Sequence, residues 1–174
     1  MLRLLPLKTP GRFPSPYEVN THGPAESGTL FPSHGLNTTR IQAMWGDILC
    51  LLTLGGMLFF PIVVAPTVFS TLPEQEAGAF LRALFPRYYL FLLAGSAGAA
   101  LAFGFTQGES ALLAAAVALS TAAVLFMLVP RINALRDQQL AGDEAAGRSF
   151  DRAHRLSVAI NFVQIGALVL AVVR

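Results

Sequence analysis

Phe150, His154, Ser157, Asn161 and Gln164 follow one another at spacings of four, three, four and three. With about 3.6 residues per helical turn they share one face, so a polar stripe runs from a basic segment into the apolar stretch Leu156 to Val173. A histidine at a helix mouth has the pKa range for proton relay or pH sensing. Carboxamides deeper in an apolar helix contact a bound small molecule or bond to neighbouring helices. An amide that leaves water without a partner costs about 1–3 kcal/mol, so His154, Ser157, Asn161 and Gln164 are expected to face protein, and Asn161→Leu to destabilise more than Leu168→Ala.

A metal or haem site wants two good ligands or a second subunit. His22 and His34 lie far from His154, near the N-terminus, and Cys50 is the only cysteine. No Asp, Glu, Lys or Arg stands in the middle of an apolar block, which argues against an ion-coupled transporter or voltage sensor. Nor is there a Ser/His/Asp constellation, a phosphate loop or a pair of catalytic carboxylates. The chain is read as a non-enzyme, with no catalytic, cofactor-binding or metal-binding residue assigned and no cofactor expected. A second candidate group is Phe85, Pro86, Tyr88 and Tyr89, an aromatic motif around Arg87 expected in the loop before a membrane crossing.

The elements that must position these residues follow from composition. The chain has 174 residues, 54% hydrophobic and 13% charged, against about 25% charged in soluble domains. Its apolar residues gather into four blocks near the roughly 20 residues that cross a bilayer, at about 45–69, 88–105, 111–129 and 156–173. The expected fold is all-α, an integral membrane four-helix bundle formed by residues 44–174. Pro61 and Pro66 should kink or unwind the first span. Thr71 and Glu74 have capping-box spacing, and Ala77, Phe80, Leu81, Leu84 and Phe85 line one face. They predict a short interfacial amphipathic helix between spans 1 and 2, ended by Pro86. Ala94, Gly98 and Ala102, then Ala114, Ala118 and Ala122, form small-residue seams for close helix approach. Asp143 reads as an N-cap, with Glu144/Arg148 and Asp151/Arg155 as i,i+4 ion pairs.

Residues 1–43 hold six of the eleven prolines and no sustained periodicity. They read as a disordered tail or an over-extended start, with Met44 as the alternative first residue. The first and third loops carry Arg82, Arg87, Arg131, Arg136, Arg148, Arg152 and Arg155, against Arg40 and Arg174 near the membrane on the other side. By the positive-inside rule both termini are expected outside. Net charge is +2 without a basic run interleaved with aromatics, so no nucleic-acid partner is expected. The expected partners are the lipid bilayer and either a second copy of the chain or a membrane complex.

Val64 to Phe69, Ala77-Gly78, Leu84-Phe85-Pro86-Arg87-Tyr88-Tyr89, Pro130-Arg131-Ile132-Asn133, and Phe150, His154-Arg155, Ser157, Asn161 and Gln164 together resemble the transmembrane protein 205-like family. The resemblance covers roughly Trp45 to Val173. It implies a four-span membrane protein without an established activity, here in a bacterial inner membrane; an animal relative is associated with drug resistance and vesicle trafficking. The architecture is also similar to four-helix copper-resistance and haem-pathway proteins, whose buried histidines this chain lacks. The expected function is an uncharacterised module that binds or passes a small molecule or supports a larger complex. The alternative is a haem- or metal-handling oxidoreductase using His154 from two subunits.

Overall fold

A computed structural model describes residues 38–104 and 107–174. The expectations on the tail up to residue 37, and on residues 105 and 106 at the end of the second span, lie outside the described residues.

Four helical rods make up this part of the chain. The first consists of α1 (Thr38–Phe59), a π-helical turn (Phe60–Val64) and α2 (Ala65–Thr71). The second is α3 (Glu74–Phe103). The third runs through α4 (Gly108–Ala123), a second π-helical turn (Val124–Leu128) and α5 (Val129–Leu140), and the fourth is α6 (Glu144–Val173). Residues 38–43, assigned to the tail by composition, are thus helical.

Both π-turns end two residues before a proline, and proline explains them. Ala65 N–H bonds to the Phe60 carbonyl and Val129 N–H to that of Val124, each five residues back, and Pro66 and Pro130 follow. A proline ring presses on the carbonyl four residues behind it and removes one donor. Widening the preceding turn relieves the clash without ending the helix. In α2 the hydroxyls of Thr67 and Thr71 bond back to the carbonyls of Val63 (2.7 Å) and Thr67 (2.6 Å), supplying donors where the ladder is disturbed.

Pro86 was expected to end a separate interfacial helix, and it does not. It lies inside the 30-residue α3, and Arg87 Nη1 donates to the Ala83 carbonyl at 2.6 Å, placing a donor in the turn that Pro86 weakens. The capping box also fails. Thr71 belongs to α2, and Pro73 occupies the N-cap position of α3 without a side-chain hydrogen bond.

Close packing holds the rods together. α1 packs on α3 and α6, α4 packs on α3 and α6, and α5 lies along α6. Met57, Leu92, Phe103 and Leu168 fill the interior and are fully buried, as are Thr53, Ser96 and Thr121. On α3 the buried face is Leu92, Ser96, Ala99 and Phe103, while Ala94 is exposed. The expected Ala94 seam is therefore not the contact line. Gly95 and Gly98 do serve close approach: a Cβ on Gly95 would collide with the Thr53 hydroxyl, and one on Gly98 would sit 3.1 Å from Leu49.

Large apolar side chains point outward along every rod, among them Ile62, Leu101, Leu119, Phe126, Phe162 and Val163. Thr38–Thr71, Gly108–Leu140 and Glu144–Val173 are each long and apolar enough to cross a membrane. At about 1.5 Å per residue each is longer than the roughly 30 Å hydrocarbon layer. α3 is not among the three, because Glu74, Glu76, Arg82 and Arg87 occupy its first half. The protein is all-helical among its described residues and of membrane type.

Candidate functional site

The polar stripe of α6 divides by depth. Gln164 is buried, and its Nε2 donates to Ser120 Oγ at 2.8 Å and Thr121 Oγ1 at 3.1 Å, both on α4. Ser120 in turn donates to the Val117 carbonyl at 3.0 Å. Asn161 is half-buried and faces the Tyr88 hydroxyl of α3. Ser157 is buried but bonds to its own helix, at the His154 carbonyl, 2.7 Å away. His154 is exposed, its ring stacked on Phe150 with centroids 6.1 Å apart. The stripe is not one continuous inward line: its shallow end opens to solvent.

Phe85, Pro86, Tyr88 and Tyr89 stand in α3 rather than in a loop, which corrects the expectation for them. Because α3 continues through Pro86, their rings turn toward the first π-turn. Phe60 lies 5.2 Å from Phe85 and 5.0 Å from Tyr88, and Tyr89 lies 6.1 Å from Phe85 and 5.3 Å from Tyr88, centroid to centroid. Such offset and edge contacts add about 0.5–1.5 kcal/mol per pair beyond their burial. Asn161 brings a polar group to the edge of this cluster.

Above it lies a charged end. Arg82 Nη2 and Nη1 reach Asp137 at 2.6 and 3.2 Å, tying α3 to α5. This hydrogen bonding holds the Asp137 carboxyl below its ordinary range and raises Arg82. Arg136 bridges Glu74 (2.8 Å) and Gln139 (2.9 Å) and lies over the Phe150 ring at 5.5 Å. Asp143 caps α6, accepting from Ala145 and Ala146 N–H at 2.8 and 3.0 Å, after Gly142 at φ +102°. The i,i+4 pairs Glu144/Arg148 and Asp151/Arg155 are absent among the described residues. Solvated side chains on one helix gain little from pairing, whereas Arg82, Asp137, Arg136 and Glu74 meet where separate elements converge.

At the opposite end Ser110 donates to the Ala171 carbonyl at 2.8 Å, and Arg174 pairs with Glu109. An open groove of about 620 Å³ runs along α3 and α4 there, bounded by Ala100, Leu101, Ala111, Leu112 and Ala115. Among the described residues, no three His, Cys, Asp or Glu side chains gather in metal-ligand geometry.

Sequence reasoning missed Ser120 and Thr121, the partners of Gln164, and Phe60, the fourth member of the aromatic cluster. A hydroxyl pair inside an otherwise apolar helix was the available signal for the first two. For Phe60 the signal was its place before Pro61, in the turn a proline disturbs.

No curated protein and no solved structure matches the chain. Residues 48–141, more than half of the chain, match the family described as a domain of unknown function, DUF4149. That stretch takes in the first π-turn, the aromatic cluster of α3, the Ser120-Thr121 pair and the Arg82–Asp137 tie, and the chain belongs to the DUF4149 family.

Proposed function

We propose that the chain is a non-enzymatic accessory module of a bacterial inner membrane. It is a four-helix bundle in which all four rods cross, both termini lie outside, and the outer surface meets a second copy or a larger membrane complex. Burial of its polar side chains carries this reading: among the described residues, every buried side-chain nitrogen and oxygen already has a hydrogen-bond partner. Gln164, Ser120 and Thr121 then act as interhelical glue. Support for a crossing by α3 comes from its packing on α1. Phe103 sits at Gly46, Phe91 at Gly56 and Tyr88 at Phe60, an antiparallel register along most of α1.

A second reading rests on the aromatic cluster. Phe60, Phe85, Tyr88 and Tyr89 meet the amide of Asn161 beside a π-turn, and π-turns recur at functional sites. That combination suits a lipophilic small molecule with one polar group. The residue patterns around Pro86 and His154 favour kinship with the transmembrane protein 205-like family under either reading.

The test is native mass spectrometry of the intact protein extracted in native lipid, with an absorbance spectrum alongside. The accessory reading expects a second polypeptide in fixed ratio and no stoichiometric small molecule. A retained lipophilic ligand lost in Asn161→Leu overturns it in favour of the second reading. A Soret band or a bound metal overturns both and assigns His154 to a shared haem or metal site.

A further inference from the structure

Two sets of arginines at the charged end differ in their partners. Arg82 and Arg136 reach across to other elements and are paired. Arg148, Arg152 and Arg155 are exposed and, among the described residues, have neither an ion pair nor a hydrogen bond. Their spacing, i, i+4 and i+7, puts all three guanidinium groups on one face of α6. That face lies opposite the buried one, which carries Ala146, Ser157, Gln164 and Leu168. Followed down the helix, it continues as Leu156, Phe162 and Val163, exposed by 53%, 70% and 73%. One outward strip is therefore cationic for two turns and apolar thereafter. The change falls at Leu156, beyond which α6 carries no charged side chain before Arg174.

We propose that Arg148, Arg152 and Arg155 bind the phosphate of an anionic phospholipid, with an acyl chain lying along Leu156, Phe162 and Val163. Guanidinium groups fork onto phosphate oxygens. Their alkyl stems extend along the boundary between water and lipid, where anionic headgroups concentrate. A free phosphate would use only the cationic half of the strip, whereas a phospholipid uses both. Glu144 and Asp151 flank the arginines, exposed and, among the described residues, without an ion pair, and weaken the local field without cancelling it. The inference rests on α6 crossing the membrane and not on the accessory role.

The experiment takes the full chain, delipidated in neutral detergent, and titrates it with phosphatidylglycerol or phosphatidylcholine under native mass spectrometry. Phosphatidylglycerol is expected to be retained with about tenfold preference. R148Q/R152Q/R155Q should bring that preference close to one, R148K/R152K/R155K should keep most of it, and E144Q/D151Q should increase it. Millimolar inorganic phosphate should not displace the lipid. A tenfold preference surviving in the triple glutamine variant overturns the proposal, as does an unchanged preference in E144Q/D151Q. Displacement by inorganic phosphate would reassign the arginines to a soluble anion. A glutamine variant that fails to fold leaves the E144Q/D151Q arm to decide.

Discussion

Gln164 of α6 hydrogen-bonds Thr121 of α4 at 3.1 Å, through the same amide nitrogen that reaches Ser120 at 2.8 Å. This bond fastens two rods at a depth where water cannot substitute for a lost partner.

Its strength is nonetheless modest. Interhelical hydrogen bonds in membranes average about 0.6 kcal/mol, with an upper value near 1.7, and Ser120 keeps its bond to Val117 when Gln164 is removed. Gln164→Leu should therefore lower stability by about 1 kcal/mol. Leu168 is fully buried, and Leu→Ala in a packed core costs about 2–5 kcal/mol. The ranking expected from sequence is thereby reversed: Leu168→Ala should destabilise more than Gln164→Leu, and more than Asn161→Leu. Thermal unfolding in detergent checks the order.

Two helical glycines should respond oppositely. Gly95→Ala drives a methyl into the Thr53 hydroxyl, and overpacking of this kind costs about 1–3 kcal/mol. A Cβ on Gly55 meets nothing within 4 Å, so Gly55→Ala should be neutral or stabilising by up to about 1 kcal/mol through helix propensity. Equal losses in both variants would show that α1 and α3 do not approach at Gly95.

The tie between α3 and α5 is pH-dependent in a definite direction. Arg82 lowers the pKa of Asp137 in the folded protein. The stabilisation is therefore present above the unfolded carboxylate pKa of about 3.9, and is lost as pH falls through the lower folded value. Asp137→Asn should be less stable than the wild type at pH 7, with the gap closing toward pH 3. Melting curves of both proteins across that window provide the check.

The Asp143 cap offers a local test. Asp143→Ala leaves the Ala145 and Ala146 N–H groups without their acceptor, at a cost of about 0.5–2 kcal/mol. Hydrogen exchange should rise in the first turns of α6 and stay unchanged around Gln164.

These outcomes separate what residue types announce from what only the fold supplies. An amide in an apolar helix has to face protein, so the inward position of Gln164 was readable from its chemistry. Ser120 and Thr121 were not readable as its partners, because a hydroxyl in a helix can satisfy itself on the carbonyl a turn behind. Asp143 was readable as a cap because the Gly-Asp pair acts within four residues. Arg82 and Asp137 meet across 55 residues of chain, and no local pattern specifies that pairing. Pro86 misled because proline removes one rung of the ladder, and packing on both sides of that rung is enough to keep α3 in one piece.

The π-turn at Val124–Leu128 also sets the angular phase of everything after it. One residue beyond the α-helical count rotates the downstream helix by about 100° relative to an uninterrupted ladder. With the turn in place, Asp137 points to Arg82 and Arg136 to Glu74. Removing a single residue between Val124 and Leu128, with Pro130 also replaced so that a regular turn is tolerated, would let α4 and α5 fuse into a regular helix and swing both side chains away from α3. The bulge is a phase shifter: it lets one rod present its apolar face to α3 and α6 below, and its ionic face to α3 above.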